Sequence, residues 1–206
     1  MTQRLRPDQT DQAAELLRAG ELVAFPTETV YGLGARVDND LAVARVFEAK
    51  GRPRFNPLIV HVPSLESAQK LAAFDACALH LAEAFWPGPL TLVLPLREGA
   101  QVSELITAGN DTVAIRVPAN PLALELLRKL GVGVAAPSAN ISGQVSPTTA
   151  DHVLEGLSGR IAAVLDGGPC TVGLESTIIM TDPPALLRPG GLDSEEVETL
   201  LGQKLK

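Results

Sequence analysis

The sequence predicts an α/β fold in one domain, a twisted mixed parallel and antiparallel sheet flanked by helices. Three observations lead there. The 206 residues, 46% of them hydrophobic, are enough for one ordinary core. Aromatics make up only 3%, so that core is built from Leu, Val, Ile and Ala, the mix of a sheet covered by helices. Strand-like and helix-like segments alternate, while strand pairs without an intervening helix occur near both sheet ends, which requires some antiparallel pairing.

Asp8 is placed to cap a first helix that runs to about Arg18 and stops at Gly20. Glu21 to Phe25 reads as a strand ended by Pro26, and the next segment, Pro26 to Gly34, reads as a turn. Asp38 or Asn39 starts a second helix, with Leu41, Ala44, Val46 and Phe47 as apolar positions and Lys50 where a cation suits the helix dipole. Leu58 to Val62 reads as a buried strand, Ser64 to Ala73 and Asp75 to Phe85 as helices, and Leu90 to Leu94 and Val113 to Val117 as strands. Asn120 followed by Pro121 is a cap with proline at the first helical position, opening a helix to Leu130. Val132 to Ala136 is the next strand, and the polar loop 137–149 leaving it is a usual place for a site. A short helix to Leu157, strands at Ala162 to Asp166, Thr177 to Met180 and Ala185 to Leu187, and a helix capped by Asp193 or Ser194 complete the chain.

Several classes are disfavoured. The polar start does not read as a signal peptide, and no apolar stretch reaches the ~18 residues of a membrane span, so a cytoplasmic protein is expected. Cys77 and Cys170 lack metal or redox spacing and the three histidines are scattered, so no protein metal site is expected. A net charge of −7 disfavours a general nucleic-acid binder. Exposed charge is screened beyond ~8 Å, however, so a local cationic pocket survives an acidic surface.

Two polar runs stand out. Lys50, Arg52 and Arg54 give three cations in five residues beside Gly51 and Pro53, and Ser138, Asn140, Ser142 and Gly143 offer hydroxyls, an amide and a loosened backbone. Together they read as two walls of an anion site, a concave cationic cleft. Other polar groups are ambiguous when read alone. The Pro26–Gly34 run is as readily a plain turn, Arg116 in its apolar strand is more often a solvated or paired residue, and His61 reads as a core imidazole. No Gly-x-Ser-x-Gly elbow, P-loop or dinucleotide fingerprint is present, so covalent serine catalysis and the commonest nucleotide cradles are not expected.

Eight segments occurring in order carry a resemblance: PTETVYGLG from Pro26, KGRP through NPLIVH ending at His61, AIRVP from Ala114, APSANISG from Ala136, SPT from Ser146, DGG from Asp166, ESTI from Glu175 and LRPG from Leu187. In these the chain resembles the YrdC/Sua5 family of threonylcarbamoyl-AMP synthases, over about residues 8–190. Residues 191–206 are expected to form a helix packed on that domain. The resemblance is to the short, single-domain form.

It implies formation of threonylcarbamoyl-AMP and pyrophosphate from L-threonine, bicarbonate and ATP, feeding threonylcarbamoyladenosine modification of tRNA through a downstream transferase complex. Lys50, Arg52, Ser138 and Asn140 match the family's Lys-x-Arg and Ser-x-Asn signature and are expected to face phosphate. Arg52, Asn56, Thr112, Ser138, Ser146 and Arg188 are the implied ATP contacts. Thr29, His61, Arg116, Ala136 and Ser176 are implied to frame threonine. Mg²⁺ is expected to arrive on the triphosphate. Direct tRNA contact is expected to be weak at most, with no membrane partner. Two other readings stay open: a carbamoyl-phosphate-dependent enzyme like the related domains of hydrogenase-maturation proteins, and a non-catalytic RNA-binding module.

Overall fold

The computed structural model describes residues 1–206. Ten strands form one sheet: β1 (Gln3–Leu5), β2 (Val23–Phe25), β3 (Gly32–Arg36), β4 (Ile59–His61), β5 (Leu90–Pro95), β6 (Thr112–Arg116), β7 (Val134–Ala135), β8 (Ala163–Leu165), β9 (Thr177–Thr181) and β10 (Pro184–Arg188). Their spatial order is β1-β8-β2-β3-β7-β4-β6-β5-β9-β10. Parallel pairs (β1/β8, β2/β8, β4/β6, β5/β9) mix with antiparallel ones (β2/β3, β3/β7, β4/β7, β5/β6, β9/β10), as the sequence predicts. No helix is long and apolar enough to cross a membrane.

The helices are α1 (Thr10–Arg18), α2 (Asp40–Lys50), α3 (Leu65–Gln69), α4 (Ala76–Phe85), α5 (Glu104–Thr107), α6 (Pro121–Leu130), α7 (Ala150–Leu157) and α8 (Ser194–Leu201). The predicted caps form where their side chains reach free N–H groups: Asn39 accepts from Ala42 N, Asn120 from Leu122 N and Ala123 N, and Asp193 from Glu195 N. Asp8 does not cap α1. It sits in a 3₁₀ turn, Pro7–Gln9, and its carboxylate pairs with Arg6.

The alternation of side chains along each strand divides the sheet into two unlike faces. Ala24, Leu33, Val60, Ile115, Leu92 and Ile179 lie in the larger of the two cores. On the opposite face, Val23, Phe25, Val134, Ala136, Ala163 and Leu165 pack with the apolar residues of α1 and α6 in a smaller core. There Phe25 crosses Gly34, where a Cβ would stand 2.9 Å from the ring, so a side chain at that position would displace it. Farther across the same face the cover ends. Ile59, Ala114, Val93 and Met180, in register over β4, β6, β5 and β9, are only half-buried. The site lies where the covered part of this face meets the open part.

Candidate active site

A cavity of about 180 Å³ opens on this face, lined among others by Thr29, Arg52, His61, Arg116, Ser138 and Arg188. Parallel pairing of β4 and β6 places His61 beside Arg116. Ile115 and Val117 point into the core, so Arg116 points into the cavity, as strand alternation requires.

Arg116 is 3% exposed, a burial that a guanidinium tolerates only when its charge and N–H groups are matched. Its Nη2 donates to Glu28 Oε1 at 2.6 Å, its Nη1 to Thr29 Oγ1 at 2.9 Å and its Nε to the Gly88 carbonyl at 3.1 Å. Glu28 Oε2 in turn accepts from Ala119 N at 3.0 Å. Of the five guanidinium N–H groups, three are used, and two remain for a ligand carboxylate. Thr29 is itself fixed by Thr27, whose Oγ1 lies 2.8 Å away and donates to the Val30 carbonyl at 2.7 Å. His61 is buried under the edge of the Phe25 ring. Burial, with Arg116 adding to it, holds the imidazole down at about 3, so it is neutral at ordinary pH, and its Nδ1 has no partner within the protein. It is therefore not the satisfied core histidine that the strand context alone predicts.

Elsewhere on the cavity wall the two polar runs meet. Lys50 closes α2, and Gly51 follows at φ 60°, turning Arg52 toward the cavity. The expectation that Lys50 faces phosphate is corrected here. Its Nζ is turned away, donating to the carbonyls of Ser138 at 2.5 Å and Asn140 at 2.6 Å, and the residue is 1% exposed. Burial is the main cause that lowers this ammonium to about 8. Lys50 thus binds one wall to the other, while Arg52 and Ser138 line the cavity. Asn140 likewise folds back, its amide nitrogen donating to the carbonyls of Ile141 and Gln144.

Arg52 donates only to backbone carbonyls, Asn56 O at 3.3 Å and Pro57 O at 2.9 Å. Arg188 is held more firmly. It donates to the Ser176 carbonyl through Nε and Nη2, to Ser176 Oγ at 3.1 Å, and through Nη1 to Glu175. The other Glu175 oxygen accepts from Ser146 Oγ at 2.9 Å.

The cavity lining thus includes Arg52, Ser138 and Arg188 from the expected ATP set, and Thr29, His61, Arg116, Ala136 and Ser176 from the expected threonine set. Asn56, Thr112 and Ser146 stand outside it. Asn56 is exposed on the loop that Arg52 closes. Ser146 borders a neighbouring concavity with Asn140. Thr112 lies on the same sheet face as Arg116, four residues and so ~13 Å along β6. Sequence reasoning assigned nothing to Glu28 and Glu175, although both lie in the quoted motifs. The available signal was electrostatic: an arginine expected inside an apolar strand needs a buried acid beside it.

A family model named Sua5/YciO/YrdC and described as "Telomere recombination" matches residues 15–190. The chain belongs to the Sua5/YciO/YrdC family. Among curated Sua5/YciO/YrdC relatives, threonylcarbamoyl-AMP synthase of Bacillus subtilis is 53% identical over 197 residues, which is 94% of this chain and 57% of that protein. The Pyrococcus abyssi threonylcarbamoyl-AMP synthase is 55% identical over 194 residues, 93% of this chain and 56% of its own. The chain therefore spans little more than half the length of these two relatives. A crystal structure of P. abyssi Sua5 complexed with L-threonine superposes with a TM-score of 0.94 at 50% identity, covering 100% of this chain and 62% of that one.

Proposed function

We propose that this chain forms L-threonylcarbamoyl-AMP and pyrophosphate from L-threonine, bicarbonate and ATP. The observation that carries this reading is one cavity that gathers three guanidiniums, the buried and oriented Arg116 and the more accessible Arg52 and Arg188. The relatives named threonylcarbamoyl-AMP synthase and the threonine-bound Sua5 structure support the same assignment.

In this reading the free N–H groups of Arg116 take the threonine carboxylate, while Thr29 and Ser176 hydrogen-bond its polar groups. The Ala136 backbone and the neutral imidazole of His61 line the adjacent wall. Carbamate formation from the ammonium and bicarbonate releases water and one proton. A carbamate oxygen then bonds to the α-phosphorus as the bond to the pyrophosphate oxygen breaks. The side chains supply alignment and charge, with no covalent enzyme intermediate. Arg52 and Arg188 neutralise phosphate charge, and the Ser138 loop supplies neutral hydrogen-bond donors. Lys50 and Asn140 act by holding the Ser138 loop in place. The half-buried row Ile59, Ala114, Val93 and Met180, with Thr112 on the same face, provides an apolar bed for the nucleoside.

No group of three or more His, Cys, Asp or Glu side chains converges to cage a metal. Mg²⁺ would arrive on the triphosphate and would offset part of its charge. We place the reaction in the cytoplasm, with a tRNA-directed transferase complex consuming the adenylate. The test is pyrophosphate release from ATP and bicarbonate with and without L-threonine. Release should depend on threonine, and release indifferent to threonine refutes the assignment.

A further inference from the structure

Glu175 lines the cavity as a carboxylate among cations. It pairs with Arg188, accepts from Ser146, and its charge acts on both Arg52 and Lys50, offsetting part of the cost of burying them side by side. Three features make this arrangement unlike a structural ion pair. Its partners are about one-third exposed, 33% for Arg188 and 35% for Glu175, and Arg188 has bonds to Ser176 that do not involve Glu175. Its anchor is the backbone, since the Glu175 carbonyl accepts from Gly191 N at 2.8 Å and a Cβ at Gly190 would stand 2.3 Å from that carbonyl oxygen. The main chain is thus fixed independently of the carboxylate. And the groups it occupies, Arg188 and Ser146, are two of those expected to contact ATP.

We infer that Glu175 is a resident counter-ion of the phosphate subsite: it occupies the cations in the empty enzyme, yields them to an incoming polyphosphate, and re-pairs with Arg188 as pyrophosphate leaves. One carboxylate carries one charge, so monoanions displace it poorly and polyphosphates displace it well. The subsite is thereby selective for charge as well as shape. Naming this subsite as one for pyrophosphate rests on the adenylate-forming reading above, and the test separates the two.

The experiment is calorimetric titration of inorganic pyrophosphate into the whole chain, without threonine or bicarbonate, for wild type, Glu175→Gln and Glu175→Asp. Removing one like charge from the subsite should tighten pyrophosphate binding about tenfold in Glu175→Gln. Glu175→Asp, which keeps the charge, should stay near wild type. Unchanged or weaker binding in Glu175→Gln overturns the inference, and weakening seen only with Mg²⁺ present does so by making Glu175 a metal ligand. A second measurement is independent of any variant. In a crystal structure of the wild type with pyrophosphate, the carboxylate should have left Arg188, and a retained Glu175–Arg188 pair contradicts the inference. Because no turnover is involved, a failure of threonine-dependent pyrophosphate release leaves this result standing. Conversely, normal turnover with unchanged pyrophosphate affinity in Glu175→Gln removes the counter-ion and spares the function.

Discussion

Two arginine–glutamate pairs beside the cavity use the same chemistry in opposite surroundings. Arg116 and Glu28 are 3% and 10% exposed at their side chains, and four further protein groups hold them: the Gly88 carbonyl, Thr29, Thr27 behind it, and Ala119 N. Arg188 and Glu175 are about one-third exposed, and Arg52 beside them has no acidic partner within hydrogen-bonding distance. Burial makes the first pair costly to break and fixes the direction of its free N–H groups, which suits a ligand carboxylate recognised by geometry. Water beside the second pair lowers the cost of exchanging partners, which suits a polyphosphate that arrives and departs in each turnover. Position in the fold, more than residue type, separates the buried arginine–glutamate pair from the half-exposed one.

The comparison breaks most visibly at Glu28. Glu28→Ala leaves Arg116 buried without its counter-charge and should cost about 3–5 kcal/mol of stability, read by urea unfolding. A cost under ~1 kcal/mol would mean that Arg116 does not need its partner. Arg52→Ala should behave in the reverse way: folding close to wild type, with adenylate formation lowered ~10²-fold or more, the scale of one preorganised electrostatic group. Near-normal turnover there rejects the phosphate role. Lys50 should sort with the fixed elements although it belongs to the signature expected to touch phosphate. Lys50→Met leaves the Ser138 and Asn140 carbonyls unmatched, at about 1–3 kcal/mol for a buried group, again by urea unfolding. The last effect is in pH. The His61 pKa falls from an ordinary 6.5 to about 3 in the folded protein, so below 6.5 the unfolded chain gains a proton that the folded one refuses. Stability is complete above that pH and declines as pH drops toward 3, by about 2 kcal/mol between pH 7 and pH 5 at this site. His61→Gln should remove that part of the decline.

Much of the scaffold was legible because local signals and packing agree. Asn39, Asn120 and Asp193 cap the helices they were expected to cap, and the 2-residue alternation of Ala114, Ile115 and Arg116 separates core from cavity correctly. What escaped has physical causes. β3 (Gly32–Arg36) carries two glycines, and its propensity reads as a turn, yet Phe25 and Val134 need that flat surface to pack over. β1, three residues of which only Leu5 is buried, exists through pairing with β8 across the fold, a contact no local pattern encodes. At the site, the meeting of the Lys50 and Ser138 runs was legible from composition. The direction of Lys50 was not, because a lysine at a helix C-terminus can face solvent, ligand or neighbouring carbonyls with the same sequence. Glu28 and Glu175 were hidden in the same way, their partners being 88 and 13 residues away.

The most direct measurement is a pair of double-mutant cycles on unfolding free energy, Glu28→Ala with Arg116→Ala and Glu175→Ala with Arg188→Ala. A fixed site beside an exchangeable one predicts a coupling of several kcal/mol for the buried pair and less than ~1 kcal/mol for the half-exposed pair. Equal couplings, or a larger one at Glu175 and Arg188, would contradict it.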